Sequence, residues 1–197
     1  MSHNFEEMFN EIVPKFDHCL LGHAKTKFLY EEFISIGIKG NTAEIGVFNG
    51  VTSKIIALLN GDNKHICYDT FEGVVHADET IDLHKNGDFF YDLESVKRNI
   101  SLSNVIYKKG VFPETFSEYD MEFVFVHSDT DTYYGTKATF DKFANIMCIG
   151  GKILCDDYKW QNCPGVEKAV KEFHSLNQKL FDFKECGNQC VLTKIAN

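Results

Sequence analysis

Apolar residues at helical spacing open the chain: Phe5, Met8, Phe9, Ile12 and Val13 fall on one face, and Pro14 closes the run. A second helical stretch carries Phe28, Leu29, Phe33 and Ile34 and stops near Gly37 and Gly40. The period then changes. Thr42 to Phe48 is short and almost wholly apolar, which predicts a buried strand, and Val51 to Leu59 predicts a helix with Ile55, Ile56, Leu58 and Leu59 as its apolar positions. His65 to Asp69 is a second strand, Leu93 to Ile100 a short helix, Val105 to Tyr107 a third strand and Phe123 to His127 a fourth. Phe140, Phe143 and Ile146 predict a helix that ends at Gly150-Gly151, followed by a fifth strand over Lys152 to Cys155. Val166, Ala169, Val170 and Phe173 mark the next helix, and Phe181 to Cys186 with Gln189 to Ile195 read as a hairpin around Gly187-Asn188.

Strands alternating with helices predict an α/β fold, a doubly wound and mostly parallel sheet covered on both faces, with an antiparallel edge from the C-terminal hairpin. No repeat, linker or low-complexity tract divides the 197 residues, so 1–197 is read as one domain. Residues 1–40 form its N-terminal helical segment and 41–197 its core. The long irregular stretch Val74 to Tyr91 holds His76, His84 and Asp88 and is read as a lid over a site.

Charge narrows the partners. Lys and Arg total 20 against 29 Asp and Glu, a net charge of -9, so the surface lacks the basic footprint that nucleic acid and anionic lipid require. No apolar run approaches the ~20 residues of a membrane span. The opening residues from Met1 lack the basic and apolar regions of a signal peptide, and the expectation is a soluble, cytoplasmic protein. Seven cysteines with no CxxC pair are read as free thiols, with Cys67 and Cys155 packed in strands and Cys186 and Cys190 placed to face each other across the hairpin.

Ligands of open α/β sheets bind beyond the carboxyl ends of the strands, and here those ends are polar. The first strand runs into Glu44-Ile-Gly46-Val-Phe-Asn-Gly50-Val-Thr52, an E-x-G-x-x-x-G-x-T turn. Its glycines allow close backbone approach, and Thr52 with free amides at the next helix start can hold a carboxylate. The second strand ends in Asp69, an acid about 20 residues on, where both ribose hydroxyls of a nucleoside can be accepted. Together these indicate an adenosine-containing ligand with a carboxylate tail. The fourth strand ends in His127-Ser-Asp129-Thr-Asp131 and the fifth in Asp156-Asp157-Tyr158. Neighbouring strands would crowd these carboxylates, which repel one another and rise in pKa unless a cation sits among them. All-oxygen ligands suit a hard ion, Mg²⁺ first, with Ca²⁺ or Mn²⁺ as other divalent cations.

These residues resemble the class I S-adenosylmethionine-dependent methyltransferases, and more narrowly the macrocin O-methyltransferase (TylF-like) family of metal-dependent sugar O-methyltransferases. The resemblance runs from about Ala43 to the C-terminus. It rests on the Glu44 to Gly50 turn, Asp69-Thr-Phe-Glu-Gly73, Gly110-Val-Phe112, Asp129-Thr-Asp-Thr-Tyr133, Asp156-Asp-Tyr158 and Pro164-Gly165. It implies a Rossmann-like fold, Asp129, Asp156 and Asp157 as metal ligands, and Asp131 as general base. It also implies Glu44, Gly46, Gly50 and Thr52 around the methionine part of the cofactor, Asp69 on the ribose, and Thr70, Phe71, Gly110 and Phe112 in the cofactor set. The family usually has Ser-Thr where this chain has Gly135-Thr136. The region ahead of the first strand, which bears on the substrate-facing cap and homo-oligomer contacts, is short here.

The implied chemistry is coherent. A sulfonium methyl needs no activation, whereas a sugar hydroxyl does; a bound Mg²⁺ lowers its pKa and a carboxylate beside it takes the proton. Holding the oxygen in line with the S–CH₃ bond accounts for roughly 7–11 kcal/mol of the barrier. His127 is the rival base to Asp131, although a histidine on a buried strand is more often packed and hydrogen-bonded. His76 and His84 sit in the lid, where they can touch a small-molecule or glycan acceptor. Catechol-type methyltransferases also use a metal, but they carry a lysine soon after the first ligand, where this chain has Thr130-Asp131-Thr132-Tyr133. A D-x-D glycosyltransferase would use Asp129-Thr-Asp131, yet it leaves the Glu44 to Thr52 turn and the Asp156-Asp157 pair without a task.

Overall fold

The computed structural model describes residues 4–17, 20–119 and 121–197. The opening Met1 to His3, read above for the absence of a leader, and Cys19 lie outside the described residues. Helix α1 (Phe5–Ile12) starts where the Asn4 side chain accepts the Glu6 amide at 3.0 Å, with Glu6 and Glu7 favourably placed in the first turn. A 3₁₀ turn at Val13–Lys15 leads on to α2 (His23–Ile34). The core follows as β1 (Asn41–Ile45), α3 (Val51–Leu59), β2 (His65–Asp69), α4 (Leu93–Ile100), β3 (Val105–Lys109), β4 (Phe123–Ser128), α5 (Tyr133–Phe143), β5 (Met147–Cys155), α6 (Pro164–Asn177), β6 (Phe181–Cys186) and β7 (Gln189–Lys194).

The seven strands form one sheet in the order β3-β2-β1-β4-β5-β7-β6. β1 to β5 run parallel, β7 pairs antiparallel with β5, and β6 pairs antiparallel with β7, as the alternating pattern and the terminal hairpin predict. Every residue of β4 is buried, as expected of a central strand covered on both faces. One face carries Phe123, Phe140, Phe143, Ile153 and Val170; the other packs Phe125 and Leu154 against Phe5, Phe28, Leu29 and Ile55 of the N-terminal helices and α3. The chain order reverses between β1 and β4, and a crevice opens there beyond the strand ends.

Three expectations change. The first strand stops at Ile45, three residues before Phe48, because Gly46 turns the chain at φ +83°. The helix through Phe140 ends at Phe143, and Ile146 lies outside it. Gly150 and Gly151 do not end that helix; they lie inside β5, where the β4–β5 register shifts between Phe123 and Phe125 and glycine fits the irregular pairing. Cys186 and Cys190 do not face each other: Cys186 pairs with Gln189, while Cys190 pairs with Glu185 on one side and Cys155 on the other. The cysteines of the described residues are free. Residues 74–91 are irregular, as expected of the lid, but tethered. Val74 donates to Asp88 at 2.8 Å, Gly87 donates back to Val74 at 2.9 Å, and the buried Asp82 accepts the Tyr133 amide at the start of α5 at 3.1 Å. No helix of the described residues is long and apolar enough to cross a membrane.

Candidate functional site

A cavity of about 410 Å³ lies at the carboxyl ends of the parallel strands, over the β1/β4 switch point. Its first half is built from turns. Gly46 is forced by geometry: a Cβ there would stand 1.8 Å from the Asp129 carbonyl oxygen, so only glycine lets the β1 and β4 ends approach. Thr52 lines the cavity from the first turn of α3. Asp69 lines it too, but its carboxylate is already engaged. Oδ2 accepts the amides of Val47 (2.6 Å) and Phe48 (3.2 Å), and Oδ1 accepts that of Phe71 (2.6 Å). Asp69 therefore shapes both turns before it meets any ligand. Burial holds its pKa above the usual carboxylate value against the pull of those three amides. Thr70, Gly110 and Phe112 complete the wall.

Three residues expected around the cofactor, Gly50, Phe71 and Glu44, are not among those that line the cavity. Gly50 takes φ +90° and faces α4, where a Cβ would meet Ile100 Cγ1 at 2.9 Å and Val96 Cγ1 at 3.1 Å. Phe71 is buried in the cluster of Val47, Cys67, Val96 and Ile100. Glu44 sits under the floor, 1% exposed, accepting from Ser53 Oγ and lying 2.8 Å from His127 Nδ1.

The second half is acidic. Asp129, Asp131, Asp156 and Asp157 line the cavity at the ends of β4 and β5, with Asp131 and Asp157 held in left-handed backbone at φ +58° and +55°. Such conformations cost energy and cluster at functional sites. Carboxylate oxygens of Asp129, Asp131 and Asp157 lie within 4.8 Å of one another; so do a ring nitrogen of His127 and oxygens of Asp129 and Asp156. Asp131 also groups with His84 and Cys163, so Asp129 and Asp131 each belong to two groups, and Asp131 stands among the expected ligands rather than apart from them. Burial first, and then the neighbouring charge, drives the carboxyls up: Asp156 acts on Asp129, Asp157 on Asp131, and Asp157 on Asp156.

Two cations temper this repulsion. Lys25 of α2 reaches over the rim, with Nζ 3.0 Å from Asp156 Oδ1 and 2.6 Å from Asp157 Oδ1. Burial lowers its pKa, but the two acids outweigh that and raise it. His127 is fully buried; burial is the strongest single influence and pulls its pKa down, but the bond and charge of Glu44, together with the charges of Asp129 and Asp156, outweigh it and raise the group to about 9. Glu44 in turn is raised by burial against the pull of His127. The sequence contains no local signal for Lys25, which comes 131 residues before Asp156. The Glu44–His127 pair was legible in principle, since adjacent parallel strands set the two in register. His84 lines the cavity from the irregular stretch 74–91, whereas His76 packs at a tilt against the lining Tyr134, with ring centroids 4.8 Å apart and planes at 45°. Leu20 and Trp160, exposed apolar residues, also border the cavity.

The residues present fit a divalent cation: a cluster of carboxylate oxygens beside a buried imidazole whose Nε2 has no partner. Lys25 already supplies part of the balancing charge, which the sequence had assigned to a metal alone.

Among solved structures, the O-methyltransferase NovP is similar at a TM-score of 0.75 and 18% identity, covering 98% of this chain and 89% of that one. The calicheamicin methyltransferase CalS11 matches at 0.71 and 15%, covering 98% and 94%. An O-methyltransferase from Bacillus cereus in complex with SAH matches at 0.61 and 13%, covering 96% and 90%. At these identities the likeness establishes the fold, that of Rossmann-like class I methyltransferases. Comparison with curated proteins returns no sequence match. The profile of the macrocin-O-methyltransferase family matches residues 6–194, taking in α2 and Lys25 as well as the core. The chain belongs to the macrocin-O-methyltransferase (TylF) family.

Proposed function

We propose that the protein transfers a methyl group from S-adenosylmethionine to a hydroxyl of a sugar-bearing acceptor, with a divalent cation at the acid rim and Asp131 as general base. The observation that carries this reading is that the glycine turn of β1 and the four carboxylates of β4 and β5 open into one cavity. Family membership supports methyl transfer, and the SAH complex of the Bacillus cereus enzyme supports the cofactor. CalS11, described as a TDP-rhamnose 3'-O-methyltransferase, supports a sugar acceptor. The catechol and glycosyltransferase readings have no such support.

In this scheme the main-chain turn after Gly46 and Thr52 receive the methionine end of the cofactor, and Asp69 presents its remaining lone pairs to the ribose. Asp129, Asp156 and Asp157 hold the cation, which would supply Lewis acidity to lower the pKa of the acceptor hydroxyl. Asp131 takes the proton at its carboxylate, and Lys25 balances the rim charge. Trp160, Tyr134 and the lid exclude water and offer an apolar surface to the acceptor. The test is a thermal-shift series with S-adenosylmethionine, UDP-sugars and no ligand, followed by an acceptor screen read by mass spectrometry with and without EDTA. Stabilisation by S-adenosylmethionine alone, with chelator-sensitive addition of a methyl to a sugar, is the expected result. Stabilisation by UDP-sugars alone would sink it.

A further inference from the structure

His127 stands beside the rim acids, and the scheme above gives it no chemistry. It is fully buried at the end of β4, its Nδ1 lies 2.8 Å from Glu44 Oε1, and its Nε2 has no partner. A ring nitrogen of this histidine lies within 4.8 Å of oxygens of Asp129 and Asp156. With Nδ1 committed to Glu44, Nε2 is the nitrogen left to face an ion. A carboxylate bonded to one ring nitrogen, with the other free beside acidic side chains, is the arrangement that fixes the tautomer and raises the basicity of a metal-ligating histidine. His65 is the control within the same sheet. It is equally buried and its Nε2 is equally unpartnered, but its Nδ1 meets the Thr42 hydroxyl at 2.9 Å, and it belongs to none of the groups of potential ligands.

We propose that His127, oriented by Glu44, is a nitrogen ligand of the rim cation together with Asp129 and Asp156, so that the site takes a transition ion such as Mn²⁺, Fe²⁺ or Co²⁺ in preference to Mg²⁺. The proposal rests on the metal reading given above and goes beyond it: an all-carboxylate rim suits Mg²⁺, whereas an imidazole shifts the selectivity towards softer ions. Lys25, 3.0 Å from Asp156 Oδ1, is the cation that the incoming ion displaces.

The test uses the full chain loaded with Mn²⁺. Pulsed electron paramagnetic resonance is expected to show ¹⁴N coupling to the bound ion in the wild type and none in His127→Gln. Calorimetry is expected to show Mn²⁺ bound at least about tenfold more weakly by His127→Gln, with Mg²⁺ affinity changed by less than about threefold. Because His127→Gln leaves Glu44 buried without its partner, Glu44→Gln serves as the second variant. It keeps the ¹⁴N coupling while Mn²⁺ affinity falls by about 10–100-fold. Mn²⁺ bound by the wild type without ¹⁴N coupling, or coupling that persists in His127→Gln, overturns the nitrogen ligand and leaves the metal reading standing. Failure of both Mn²⁺ and Mg²⁺ to bind the wild type brings down the metal reading, and this proposal with it.

Discussion

The two halves of the cavity solve the same problem, a buried acid, in opposite ways. At the ends of β1 and β2, Asp69 accepts three main-chain amides and is held by the protein itself. At the ends of β4 and β5, four carboxylates crowd against one another, and Lys25 and His127 offset them only in part. The first half is therefore preorganised: its polar groups hold the turns in shape whether or not a ligand is present. The second half is open-ended, with charge that an added cation or an acceptor proton can relieve. A preformed cradle suits binding of a whole cofactor, and an unbalanced cluster suits proton and metal chemistry.

The largest expected effect lies in the open half. Asp131→Asn should lower turnover by roughly 10²–10⁴-fold while leaving cofactor and metal affinity near wild type, because in the proposed scheme it removes a base and not a binding group. Asp129→Asn, which in the proposed scheme removes a charged ligand, should instead lose metal and be partly rescued by excess ion. Turnover across a metal series, with calorimetry on each variant, separates the two. Should Asp131→Asn lose the ion and Asp129→Asn keep it, the roles are exchanged.

The next effect joins the halves. Gly46→Ala places a methyl 1.8 Å from the Asp129 carbonyl oxygen at φ +83°, where an L-residue is already strained. The β1 and β4 ends must separate, at a cost of about 3 kcal/mol in urea denaturation. A loss below about 0.5 kcal/mol would mean that the two strand ends are not in close contact. By contrast Asp69→Ala, the substitution the sequence first invites, removes the acceptor of three amides as well as the proposed ribose contact, so a loss of cofactor affinity there would not identify that contact.

How far the sequence reached follows the same division. The bounds of α3, β2 and α4 could be read from it because period and punctuation are local. The rim acids were visible because each follows a buried apolar strand. The end of α5 was not, since Ile146 continues its helical spacing while the chain has already turned towards β5. That Gly50 faces α4 and Phe71 packs into a core cluster could not be read for a related reason: the turn motif does not say which side of the turn a residue faces. Lys25 was invisible. Nothing near it in the chain marks it out, and only the return of α2 over the sheet brings it to Asp156 and Asp157.

Lys25→Met gives a smaller effect with a distinctive sign. In the ion-free protein it leaves Asp156 and Asp157 without their nearest cation, and stability should fall by about 1–2 kcal/mol, reduced from the fully buried case because Lys25 keeps partial exposure. Divalent-ion affinity should rise, since the competing cation is gone. Denaturation without ion and calorimetry with it check the two halves of the statement. A variant that loses both stability and ion affinity would make Lys25 a support for the ion and not its competitor.

The smallest expected effect per step is the response of the ion-free protein to pH, and its sign is fixed by the rim. Asp129, Asp131 and Asp156 have folded pKa values raised above their unfolded ones, and His127 is raised from 6.5 to about 9. Between the unfolded and folded values the native state holds more protons than the unfolded chain, so stability falls as pH rises. For His127 the contribution is complete below pH 6.5 and is lost as pH rises through about 9. Each proton contributes no more than about 1.4 kcal/mol per pH unit. Urea denaturation at pH 6.5 and pH 9 in chelator should therefore show a less stable protein at the higher pH. With saturating Mn²⁺ the trend should flatten or reverse, because the ion binds the deprotonated ligands and is favoured by the same rise in pH. The glycine-turn half of the cavity offers no such lever for an ion, so a substitution confined to it, such as Thr52→Val, should leave both slopes unchanged. An ion-free protein that gains stability from pH 6.5 to pH 9 would show that the acid rim is as self-sufficient as the glycine turn, and the contrast between the two halves would fail.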